Sequence, residues 1–178
     1  MVMRAVTIAA AFVLMMQALP ARGQDLSLGY QFQWNDSVSK MRTYPLGFNV
    51  DASFPFTSGR TLAAFGQFDW SRRGENETQF SSNLMFFGAG VRWKVKTAAA
   101  LTPYIQFAAG ASRLSIPDDE ADFDATTDPA FQVGAGVAGA LTARLEWIAQ
   151  FDYRSILTED EASNGIRVVG GVRIPLGR

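Results

Sequence analysis

Between residues 26 and 176 the chain returns eight times to one pattern, a bulky apolar side chain at every second position with a small or polar one between. Period two is the signature of a strand whose two faces meet different surroundings. The series opens with Leu26, Leu28, Tyr30, Phe32 and Trp34, separated by Ser27, Gly29, Gln31 and Gln33. It recurs over 46–54, 62–70, 85–93, 104–112, 131–141, 144–153 and 166–176. In every run the bulky set is free of charge. The opposite set is rich in Gly, Ala, Ser and Gln, and holds Asp25, Asp51, Asp69, Arg92, Arg144, Glu146, Asp152, Arg167 and Arg173. After residue 23 the longest uncharged stretches, 97–112 and 129–143, are short and broken by Pro or rich in Gly, whereas a membrane-spanning helix needs about 20 apolar residues. The chain is therefore all-β. If it enters a bilayer, it does so with strands.

An even number of alternating strands can close into a barrel in two ways. A soluble, lipocalin-like barrel turns its bulky set inward. A transmembrane barrel turns that set to lipid and fills its lumen with the polar one. The polar set here suits the second, because an eight-stranded barrel has an interior just wide enough for side chains to fill. Its strand cations are Arg, which suits buried multidentate pairing better than Lys does. Asp51, Asp69, Arg92, Arg144, Glu146, Asp152, Arg167 and Arg173 thus read as a lumen ion network that plugs the barrel rather than lining an open pore.

The connections agree. With the first strand rising from the periplasm, the lower turns fall at 55–60, 94–102 and about 139–143, and the upper loops at 35–43, 71–81, 113–128 and 155–164. Short periplasmic turns and longer outer loops suit an outer-membrane barrel. Trp34, Tyr44, Trp70, Phe131 and Tyr153 fall at upper strand ends, and Phe54, Trp93 and Trp147 at or near lower ends. Two levels of aromatic side chains read as interfacial girdles. The fold expected is an eight-stranded antiparallel up-and-down transmembrane β-barrel over 24–178.

Residues 1–23 read as a cleaved secretory signal. Arg4 supplies the positive start, 5–19 an uncharged and largely apolar run, and Ala21-Arg22-Gly23 the small residues of a cleavage site. Its removal takes away Arg4 and Arg22 and no acid, so the formal charge of −1 falls by two. No basic surplus remains to attract nucleic acid.

The chain has no Cys and no His. That excludes a disulfide framework, a thiolate nucleophile and a Ser-His mechanism, and serines such as Ser112 or Ser155 have no visible activator. No cofactor is implied. Asp122, Asp124 and Asp128 alternate as in a calcium loop, but Thr127 stands where the loop needs Gly and Val133 where it needs a bidentate Glu. With Asp118, Asp119, Glu120 and 159–161 they read instead as an acidic outer rim, bridged to lipopolysaccharide phosphates through divalent cations. Arg72-Arg73 is a surface pair facing lipid phosphates at most. Asn35-Asp-Ser37 and Asn76-Glu-Thr78 match a glycosylation pattern without weight in a bacterial-type chain.

In the stretch from Ala130 to Arg154 a Gly-rich strand meets a short Leu-Thr turn, and the next strand ends in an aromatic and a basic residue. With Thr102-Pro-Tyr104 and the closing Gly170-Gly-Val-Arg173, it resembles the small outer-membrane barrels of the OmpA/OmpX type. The resemblance implies residence in a Gram-negative outer membrane, insertion by the barrel-assembly machinery, contact with outer-membrane lipid and lipopolysaccharide, and a surface or scaffold role as a monomer. Members often close on an aromatic residue, whereas this chain closes Ile174-Pro-Leu-Gly-Arg178. The expectation is the barrel alone, without the cell-wall-binding domain of the longer OmpA proteins. The function expected is non-enzymatic presentation of outer loops, in adhesion, protection or envelope integrity. Two alternatives stand beside it: passage of small hydrophobic molecules through a lateral opening, as in OmpW-like barrels, and a periplasmic lipocalin-like binder.

Overall fold

The computed structural model describes residues 23–37, 40–57, 59–74, 81–95, 97, 100–116, 124–158 and 162–176. The expected signal segment, Gly23 apart, lies outside them, as do Asp118, Asp119, Glu120, Asp122, Asn76 and 159–161.

The described strands are β1 (Gln24–Ser37), β2 (Lys40–Tyr44), β3 (Leu46–Pro55), β4 (Leu62–Arg73), β5 (Ser82–Lys94), β6 (Leu101–Ile116), β7 (Asp124–Thr142), β8 (Leu145–Leu157) and β9 (Ala162–Leu176). Each pairs antiparallel with its neighbours. The sheet closes where β1 pairs with β9, from Gln24 against Leu176 to Asp36 against Asn164. Because β2 and β3 both pair with β1 and meet at Pro45, they form one stave. The result is a closed eight-stranded antiparallel barrel.

The facing follows the alternation. Leu28, Phe107 and Phe151 are more than half exposed on the outside, while Asp152, Arg92 and Arg167 are fully buried within. A lipocalin-like barrel would have the reverse. Phe65 and Phe86 also point inward, as their phase requires, and give the lumen apolar as well as ionic layers.

One stave changes phase. Gln33 opposes Tyr44 and Tyr30 opposes Phe48. Between those pairs β1 has two residues, Gln31 and Phe32, and the facing stave has three, Pro45, Leu46 and Gly47. The extra residue is a β-bulge, a place that tolerates proline because a ladder N–H is not needed. The Tyr30 hydroxyl donates to the Pro45 carbonyl and braces the kink. A one-residue slip moves every side chain before it to the other face. Tyr44, expected in the upper girdle, therefore points into the lumen and is only 2% exposed.

The upper strands also run on through segments expected as loops. β6 and β7 stay paired up to Ile116 against Asp124, and β1 continues to Ser37. The apolar pattern ends at the edge of the apolar belt, but backbone pairing does not need an apolar face. At the lower end β7 and β8 are joined by Ala143 and Arg144 alone. Arg144, expected in the lumen, is an exposed turn residue whose N–H donates to Thr142 Oγ1 at 3.2 Å. Its alternation with Glu146 is a coincidence of the strand's first step.

Candidate functional site

Among the described residues, chemistry-bearing side chains converge in the lumen. Its centre is a chain of four ions. Asp69 on β4 receives Arg154 on β8 in a two-pronged pair, at 3.0 and 2.7 Å. It also receives Nη1 of Arg167 on β9 at 2.9 Å. Arg167 in turn holds Asp152 on β8 through Nε and Nη2, at 3.0 and 2.7 Å. These four side chains are at most 1% exposed.

Glutamines occupy the remaining lone pairs. Gln31 donates to Asp69 and Ser71, Gln67 to Asp69, and Gln106 and Gln150 both to Asp152. Gln132 accepts from Arg154. Buried charges are tolerated when each is paired and hydrogen-bonded, because desolvation otherwise exceeds the Coulombic gain. This network meets that condition.

Below it Arg92 donates to Asp51 at 3.0 Å and to Gln106 at 2.9 Å, and its guanidinium lies 4.8 and 4.9 Å from the ring centroids of Phe65 and Tyr104. Lower still, Arg173 stands over Tyr104, donates to Ser27, and lies 3.9 Å from Glu146. Among the described residues Arg92 Nη2 and Arg173 Nη2 reach no acceptor, so the lower lumen is less fully satisfied than the centre.

Of the lumen residues read from the sequence, Asp51 thus stands with Arg92, Asp69 and Asp152 share Arg167, and Glu146 neighbours Arg173. Two further ions belong with these. Arg154, at the end of its alternating run, keeps the inward phase of Asp152 and Gln150. Lys94, placed in a turn, closes β5 with the inward phase of Arg92 and makes an ion pair with Asp25. In both cases the signal was there: the phase carried two residues further.

Among the aromatic residues of the girdle reading, the structure turns Tyr44 inward. Trp93 and Tyr153 are exposed on the outer face, and Trp34, Phe54, Trp70, Phe131 and Trp147 are half-buried in the described strands. Tyr44 is the correction given above. Of the calcium-loop candidates, Asp124 and Asp128 belong to β7, opposite Ile116 and Ser112, and Asp122 lies outside the described residues. Among the described residues no group of three or more His, Cys, Asp or Glu side chains could hold a metal ion.

Above the ions lies an apolar layer. Tyr44, Leu84, Phe86, Ala130 and Ile156 pack together with Leu114 against them, and the Arg154 guanidinium sits 4.0 Å from the Phe86 ring centroid. On top of that layer the barrel mouth holds a cavity of about 160 Å³. Its floor is Tyr44, Leu84, Leu114 and Ile156, and Arg42 and Asp128 are among the polar residues of its wall.

No protein-family model matches the sequence, and no curated protein matches it. Solved structures do share its fold. Neisserial surface protein A (NspA) superposes with a TM-score of 0.74 at 16% identity, over 85% of this chain and 96% of that one. Ail, the attachment invasion locus protein of Yersinia pestis, gives 0.58 at 18% identity, over 86% and 99%. The outer membrane protein AlkL, solved in lipid bilayers, gives 0.52 at 12% identity, over 90% and 94%. The chain thus has the fold of the small outer-membrane barrels.

Proposed function

We propose that the protein is a non-enzymatic outer-membrane barrel, a monomeric scaffold whose lumen is closed and whose upper rim faces the cell exterior. The facing of the wall carries this reading. Leu28, Phe107, Val133, Phe151 and Val168 are exposed on a continuous outer surface. In water so large an apolar surface would be an aggregation liability, and in lipid it is the solvent-facing side. The fold shared with NspA, Ail and AlkL supports the same placement.

The ion and glutamine layers support a scaffold over a pore, because they fill the narrow interior from several walls at once. They equally oppose passage of hydrophobic molecules through the full length of the lumen. With neither His nor Cys in the chain, the surface role is presentation: an acidic upper rim available to divalent cations and lipopolysaccharide phosphates, after insertion by the barrel-assembly machinery.

Cells expressing the full precursor are fractionated, and the envelope is run on SDS gels with and without boiling. The expected result is a detergent-requiring band whose mobility shifts on heating. A soluble periplasmic band with no heat shift would overturn the membrane placement.

A further inference from the structure

The cavity at the mouth has a composition unlike the rest of the lumen. Below it every strong ion has an opposite partner in the barrel. Arg42 and Asp128 both line the cavity, yet among the described residues neither makes an ion pair with any opposite charge. They stand on β2 and β7, which are separated by three staves in either direction around the barrel. The two charges therefore face one another from opposite walls across an apolar floor.

The bulge at Pro45 creates this arrangement. It turns Arg42 inward together with Tyr44, beside Asn35 on β1. Without the extra residue, both would lie on the outer surface. Asp128 reaches the cavity because β7 stays extended above Ala130, in the phase that also turns Gln132 inward. The floor is closed from below by Phe86 and Arg154. At about 160 Å³, the space is comparable to cavities that accept benzene.

We propose that the mouth cavity binds a small zwitterion with a compact apolar body, of the size of a free amino acid with an aromatic or branched side chain. Its carboxylate lies toward Arg42, its ammonium toward Asp128, and its body on Leu84, Leu114 and Ile156. Guanidinium and carboxylate walls make charge-assisted hydrogen bonds, the strong kind. The apolar floor selects against zwitterions without a body. The inference rests on the closed barrel and not on its placement in a membrane.

The test uses the refolded full barrel in an uncharged detergent, with the methyl signals of Leu84, Leu114 and Ile156 followed by NMR. Four probes are titrated: L-phenylalanine, 3-phenylpropionate, phenethylamine and glycine. L-Phenylalanine is expected to give saturable shifts; 3-phenylpropionate and phenethylamine should each bind about tenfold more weakly or worse, the loss typical of one charge-assisted contact, and glycine likewise about tenfold more weakly or worse because it leaves the apolar floor uncovered. Arg42→Gln should weaken L-phenylalanine about tenfold and leave phenethylamine unchanged. Asp128→Asn should weaken L-phenylalanine and leave 3-phenylpropionate unchanged. Leu114→Trp, which fills the floor, should abolish the shifts. Heat-modifiable mobility is checked in every sample. A wild-type barrel that keeps it but shows no saturable shift overturns the site alone, as does equal binding of all four probes. Loss of the heat shift in the wild type overturns the barrel and the site together.

Discussion

Arg154 on β8 grips Asp69 on β4 across the full width of the lumen, Nη1 to Oδ1 at 3.0 Å and Nη2 to Oδ2 at 2.7 Å. Three staves separate the two strands in either direction. The pair ties opposite walls of the barrel together, and Arg167 extends the tie to Asp152.

Breaking that tie from one side should be costly. Asp69→Ala leaves Arg154 without its carboxylate in a fully buried place, a loss of about 3–5 kcal/mol. Adding Arg154→Met should recover part of it, because the stranded charge is then gone. The urea midpoint of the refolded barrel reads both effects. A single variant that unfolds at the wild-type midpoint would mean that the network is not what holds the lumen.

The outer face can be probed at Val91, which is 46% exposed. Val91→Arg places a cation in lipid, which costs about 2–4 kcal/mol near the midplane, and should depress insertion into vesicles. Normal folding and insertion of this variant would show that β5 turns its other face to the membrane.

Two glycines on opposite faces should respond unequally to the same change. A Cβ on Gly90 would stand 1.9 Å from the Phe107 carbonyl oxygen and 2.7 Å from Ala108 Cα, both backbone atoms that cannot swing away. Gly90→Ala therefore forces β5 and β6 apart and should lower the unfolding midpoint. A Cβ on Gly170 meets nothing within 4 Å, so Gly170→Ala should stay within about 0.5 kcal/mol of wild type. Equal effects would contradict the close approach of β5 and β6.

Tyr44 and Tyr153 separate the lumen from the girdle. Tyr44 is 2% exposed in the upper apolar layer, and Tyr153 is 40% exposed on the outer wall. Tyr44→Ala empties a packed ring site, a loss of about 3–5 kcal/mol for a buried aromatic, and should destabilise more than Tyr153→Ala. Thermal loss of the unheated gel band compares them directly. The reverse order would put Tyr44 back on the outer face.

Alternation along the chain determined which face of nearly every strand meets the apolar surroundings, because side chains in an extended backbone take opposite sides in turn. From that single rule follow the eight staves, the charge-free wall and the inward placement of Asp51, Asp69, Arg92, Asp152, Arg167 and Arg173. The rule says nothing about height. Whether Asp69 meets Arg154 or Arg92 depends on the register of every intervening strand and on the stagger at closure, which are settled by pairs as distant in sequence as Gln24 and Leu176. Nor does it survive an extra residue. The bulge at Pro45 reversed the phase of β2 and moved Tyr44 and Arg42 inside, and the two-residue turn before Leu145 left Arg144 outside. Side is a local property of the backbone, readable two residues at a time; partnership and depth belong to the closed barrel, where each strand's position is set by all the others.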